Sequence, residues 1–167
     1  MKDGHLLVWP NTVPFNAMLL TGKLPFKTRS QYPIHDYRGL VLFYNSSKYT
    51  NQHAVLGEGI DPRLMQKQTI VGEGFLKEVR PLSDAEMDDF SRRCSGIYGA
   101  FPLGYFFDSL VAFPQPIPAV WPQGTVRGGW VHFEQFRPWL ERAFADERPK
   151  EFDEFRVPIQ SKIKAMA

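Results

Sequence analysis

Hydrophobic residues fall along this chain in short blocks divided by turn formers, and the blocks alternate between helical and strand-like patterns. Phe15-Asn16-Ala17-Met18-Leu19-Leu20 follows Pro14, which the first turn of a helix tolerates, and leads to Gly22, which can close one in the left-handed conformation. That block predicts a helix of about two turns. Leu40-Val41-Leu42-Phe43-Tyr44 is a continuous apolar run bounded by Gly39 and by Asn45-Ser46-Ser47, too short for most helices and rich in strand formers. It predicts a central strand. Thr69 to Val79 predicts a second, with Gly72 and Gly74 marking a bulge or sharp bend. Ser83-Asp84-Ala85-Glu86 is a capping-box pattern, so a helix is expected from Asp84 to about Cys94. Gly104 to Phe113 returns to strand character, and Pro114-Gln115-Pro116-Ile117-Pro118 is expected to end it.

Thr50 to Gln68 shows no clear period and is expected to form a loop over a barrel mouth, with one helical turn at Asp61 to Met65. Beyond Pro122 the pattern changes. Gly124, Gly128 and Gly129 predict a flexible link, and Phe136, Trp139, Leu140 and Phe144 fall on one face of a helix. From Asp146 onward charge dominates and apolar anchors are few, which predicts a partly flexible tail.

At 167 residues and 43% hydrophobic content, one core is the economical arrangement. The expected organisation is a barrel domain over residues 1–122, with a helical extension over 123–167 packed on it. Fourteen prolines, thirteen glycines and 14% aromatic residues favour turns and strands over a helical bundle. The predicted class is therefore α+β, a small β-barrel with flanking short helices and a C-terminal helix. Trp9 and Trp121 are expected to plug the core or the barrel ends.

Charge changes this picture by singling out one half. Residues 1–82 carry ten Lys/Arg and six Asp/Glu, and residues 83–167 carry ten and twelve. Within Gly22 to Lys48, Lys23, Lys27, Arg29, Arg38 and Lys48 stand against one acid, Asp36, which predicts a footprint for phosphate. Cys94 stands alone and His5, His35, His53 and His132 are widely spaced, so neither a disulfide nor a metal site is expected, and no cofactor is implied. Gly72-Glu73-Gly74 and Gly57-Glu58-Gly59 lack the Gly-Lys-Ser/Thr of a phosphate loop. No apolar run approaches a membrane span and no leader pattern stands out, which predicts a cytoplasmic protein without a membrane partner.

The order helix, Gly22-Lys23, basic turn to Arg29, Tyr37-Arg38-Gly39, apolar strand and Ser46-Ser47-Lys48 resembles the ASCH domain, a β-barrel related to the PUA domains that bind RNA. The resemblance runs from about Val13 to Pro122 and implies a PUA-like barrel. In that family the helix leads into Gly-x-Lys-x-x-Glu-x-Arg. Laid on Gly22 and Arg29, the family's lysine position is Leu24 and its glutamate position is Lys27.

Three functions follow as expectations. In the first, RNA or another single-stranded or modified nucleic acid binds a basic cleft. Lys27 and Arg29 alternate, so an extended segment points both to one face, where they join Lys23, Ser46, Ser47 and Lys48 in holding phosphate, and Tyr44 or Tyr49 stacks a base. The alternative, implied by the resemblance, is an amidohydrolase deacylating an acetylated nucleoside, with Lys23, Thr28 and Glu73 as the catalytic group. The last is an accessory protein-interaction module docking through the C-terminal helix. The pattern leaves oligomeric state open.

Overall fold

In the computed structural model, residues 7–48, 51–122 and 131–145 are described. The strands are β1 (Leu7–Asn11), β2 (Lys27–Arg29), β3 (Gly39–Asn45), β4 (Thr69–Pro81), β5 (Leu103–Pro118) and β6 (Val131–His132). The helices are α1 (Phe15–Leu20), α2 (Asn51–Leu56), α3 (Asp84–Arg93) and α4 (Arg137–Ala145), with single 3-10 turns at Ile34–Asp36, Pro62–Met65 and Phe133–Phe136. The strands form one mixed sheet in the order β2-β5-β4-β3-β1-β6, in which β1 runs parallel to β3 and the other pairs are antiparallel. Register shifts at Phe43/Tyr44 and at three points between β4 and β5 curl it into half a barrel. The class is α+β, as the pattern predicts.

The apolar run of β3 is continuous because both faces of the sheet are covered. Val41 and Phe43 join Trp9, Tyr105 and Val71 in a core roofed by Ala17, Met18 and Leu19 of α1 and Phe90 of α3. Leu42 and Tyr44 face the other way, among Val8, Ile70, Phe113 and Ile117, and are closed over by Phe136 and Leu140. The apolar face of α4 thus lies on the sheet, with Trp139 and Trp121 packed at its margin. The predicted glycine link and charged tail lie outside the described residues, as do the side chain of Phe144 and Tyr49.

Local signals hold where they are chemical. Gly22 takes φ +77° just past α1, and Ser83 and Glu86 close a reciprocal capping box at the start of α3. Several elements differ from the sequence pattern, among them β6, which pairs with β1 where only a link and a helix were expected. β1 was not predicted, because Leu7-Val8-Trp9-Pro10 is short and carries a proline. Its pairing with β3, rather than its own propensity, makes it a strand. Thr50 to Gln68 holds α2 as well as the expected turn at Pro62–Met65. β5 does not stop at Pro114 but continues to Pro118, with Ile117 opposite Ile70 and Pro118 opposite Thr69. Prolines are tolerated there because β2 covers only Leu103 to Tyr105, leaving the rest of that edge without a ladder partner among the described residues. No described helix is long and apolar enough to cross a membrane.

Gly72 sits where β4 and α1 nearly touch. A Cβ there would lie 2.5 Å from the Val111 carbonyl oxygen and 2.8 Å from Leu20 Cδ1. Gly72→Ala should therefore cost about 1–3 kcal/mol in urea unfolding. Gly99→Ala, with nothing within 4 Å, should stay within about 0.5 kcal/mol of the parent. Equal effects would show that the close approach is not what places glycine at position 72.

Candidate functional site

β2 is a three-residue edge strand pairing Lys27, Thr28 and Arg29 with Tyr105, Gly104 and Leu103. Alternation puts Lys27 and Arg29 on one face, as expected, but that face is the core under α1 and α3. Lys27 is only 8% exposed. Its Nζ lies 4.1 Å from the Phe15 ring centroid and 5.7 Å from that of Phe90, and it donates one long hydrogen bond, 3.4 Å, to the Thr28 carbonyl. No described carboxylate reaches it. Burial, reinforced by the nearby Arg29 charge, lowers its pKa to about 7. The residue foreseen as a solvated phosphate contact is thus a buried amine that is largely uncharged in mildly alkaline solution.

Arg29 is held from behind. Its Nη2 donates to the Pro10 carbonyl at 2.6 Å and to Asn11 Oδ1 at 3.0 Å, and the guanidinium lies 4.8 Å from the Trp9 ring centroid. Burial lowers its pKa to about 10, which still leaves it cationic at neutral pH. Asn11 Nδ2 donates to Asn16 Oδ1 at 2.8 Å. Asn16 Nδ2 donates to the Tyr44 carbonyl at 2.9 Å and to Asn45 Oδ1 at 3.1 Å, and Asn45 Nδ2 donates to the carbonyls of Leu64 and Gln66. Three buried asparagines from β1, α1 and β3 therefore form one relay from Arg29 to the turn at Pro62–Met65. The sequence reading missed Asn11 and Asn16; an asparagine inside a short helix was the signal, since it disfavours that setting unless its side chain is used.

The relay also brings distant segments to one rim. Asn11 and Asn45 end the parallel strands β1 and β3 side by side, and Ser46 N donates to the Asn11 carbonyl at 2.9 Å. Ser47 and Lys48 follow, both exposed. The loop after β2 wraps around Tyr105, whose hydroxyl donates to the Gln31 carbonyl. Burial raises the Tyr105 pKa to about 12, opposed by the charges of Arg29 and Arg38. That loop exposes Tyr32 (53%) and Ile34 (48%), while Arg38 pairs with Asp36 at 3.0 Å.

The remaining predicted residues do not converge. Lys23 Nζ donates outside the core, to the Glu58 carbonyl at 2.7 Å. Thr28 points to the face opposite Lys27, and its Oγ1 accepts from Phe101 N at 3.2 Å. Glu73 is buried on β4 opposite Leu42 and Val111, a part of the sheet remote from Thr28, which pairs with Gly104. Tyr44 is buried, donates its hydroxyl to the Ala119 carbonyl at 2.9 Å and packs on Trp121 and Phe136, so it offers no face to a base. It closes the apolar run of β3, on the face that Phe136, Leu140 and Trp121 cover. Among the described residues no cluster of His, Cys, Asp or Glu has the makings of a metal site.

No family model matches the chain, and no curated protein does. Solved structures do match. The likeness is to ASCH structures. The crystal structure of ASCH from Zymomonas mobilis matches with a TM-score of 0.41 and 13% identity, over 89% of this chain and 85% of that one. A serine-to-alanine variant of the Zymomonas mobilis protein matches with a TM-score of 0.38 and 13% identity, over 95% and 99%.

Proposed function

We propose that this ASCH-like chain binds single-stranded RNA along the rim where Arg29 meets Ser46-Ser47-Lys48. One observation carries the reading. Among the described residues Arg29 is fixed through Nη2 alone, Nε and Nη1 make no hydrogen bond, and no carboxylate neutralises the group. A guanidinium held rigidly with an unused donor edge is suited to a phosphate oxygen pair, and the ordering entropy is met by folding rather than by binding. Ser46, Ser47 and Lys48 extend the donors along the same rim, and exposed Tyr32, beside Tyr105, replaces Tyr44 as the surface for stacking a base.

Lys27 is buried and Arg29 is half-buried and anchored to β1, so reversing their charges would report on folding. The informative variants are Tyr32→Ala and Lys48→Glu, both at exposed positions. Anisotropy with a labelled single-stranded RNA at about 50 and 200 mM salt should show affinity falling with salt in the parent, and a loss of about tenfold for the combined variant. RNA affinity equal to that of the parent at both salts would reject the proposal.

A further inference from the structure

The RNA rim has no use for Lys27, and packing does not call for it either. Its site is lined by Phe15, Phe90 and Cys94, which an apolar side chain would fill equally well, and its one hydrogen bond is to the carbonyl of the next residue at 3.4 Å. Buried lysines are otherwise paired with carboxylates. Two residues along the same face of β2 stands Arg29, whose Nε and Nη1 make no hydrogen bond among the described residues. An amine against aromatic rings with a fixed cation one pleat away is the donor set for a small molecule carrying both a carbonyl and an anionic group.

We propose that Lys27 Nζ is a nucleophile that forms an imine with a small aldehyde or ketone whose carboxylate or phosphate is held by Arg29. The amine lone pair adds to the carbonyl carbon, the oxygen collects two protons, and one water leaves as the C=N bond forms. No oxidant or metal enters. The depressed basicity of Lys27 supports the step, because an uncharged amine is the reacting species. A residual exposure of 8% restricts the ligand to a few heavy atoms. The proposal goes beyond RNA binding and shares only Arg29 with it, so either can fail alone.

The full chain treated with glyoxylate and cyanoborohydride near neutral pH, then mapped by peptide mass spectrometry, provides the test. Reduction fixes an amine adduct, whereas a hemithioacetal at Cys94 reverses and leaves no mark. The adduct should form at Lys27 at least about tenfold faster than at exposed Lys48, with an apparent midpoint near pH 7. Acetaldehyde, which lacks the anion, should label Lys27 about tenfold more slowly than glyoxylate does. Lys27→Met should abolish the fast adduct and leave the slow ones. Labelling of Lys27 in the parent no faster than of Lys48 would overturn the proposal without any variant, and equal rates with the two aldehydes would overturn the part given to Arg29.

Discussion

Replacing Lys27 by methionine should raise the stability of the protein at pH 6 to 7, an unusual outcome for a substitution at a buried charged residue. The native state releases the Lys27 proton at about 7, whereas the unfolded chain keeps it until the ordinary 10.5. Between those values the unfolded state holds more protons, so the parent gains stability as pH rises, by roughly 1.4 kcal/mol per unit. Below pH 7 both states are protonated and the full cost of burying the ammonium is present. Methionine has a similar unbranched reach and keeps contact with Phe15 and Phe90 through its sulfur, while the cation–π term it gives up is worth about 0.5–2 kcal/mol. A net gain of at least about 1 kcal/mol, or about 2–4 °C in Tm, is the expected result at pH 7. Above pH 9 the thiol of Cys94 opposes the rise, because burial lifts its pKa to about 11 and the unfolded state then loses its proton first. Urea unfolding from pH 6 to 9 should therefore give a rising line for the parent and a flatter one for the variant, converging at the alkaline end. Parallel lines would mean that the native site does not lower the pKa of the amine, and a variant weaker at pH 6 would mean that it favours the charged form.

The burial of Lys27 distinguishes two kinds of legibility in the chain. Period and capping chemistry exposed α1, β3, β4 and α3, because each rests on interactions within a few residues: Gly22 after α1, or Ser83 with Glu86. The alternation of Lys27 and Arg29 was equally local and equally legible. What the pattern did not contain was which side of β2 becomes the core. That depends on α1 and α3 closing over it, a tertiary fact, and it turned a predicted cationic surface into a buried amine and an anchored guanidinium. β1 was hidden for the same reason, as was the continuation of β5 through three prolines: both are strands because a neighbour supplies the ladder. Tyr44 read as a stacking residue because the covering of its face by Phe136 and Leu140 is likewise a tertiary fact.

Asn16→Leu should be the most damaging single change, because it breaks the relay at its centre while keeping volume. Leucine would suit a helix better than asparagine, so intrinsic propensity predicts a gain. The relay predicts the reverse. Without Asn16, Asn11 Nδ2 loses its acceptor, and the Tyr44 carbonyl and Asn45 Oδ1 lose a donor, all in a site that water does not reach. Each buried group left unsatisfied costs about 1–3 kcal/mol, so a loss of about 3–5 kcal/mol is expected. The second consequence is functional. Asn11, freed to rotate, no longer presents Oδ1 to Arg29, and a guanidinium held by the Pro10 carbonyl alone loses the fixed aim that the RNA reading requires. Affinity for single-stranded RNA should fall about tenfold in Asn16→Leu under conditions where the variant is still folded. Gly72→Ala, destabilised without touching the relay, should bind as the parent does. If both variants lose stability but neither loses affinity, the asparagines serve only to join β1, α1 and β3; a selective loss in Asn16→Leu identifies the relay as the part of the fold that aims Arg29.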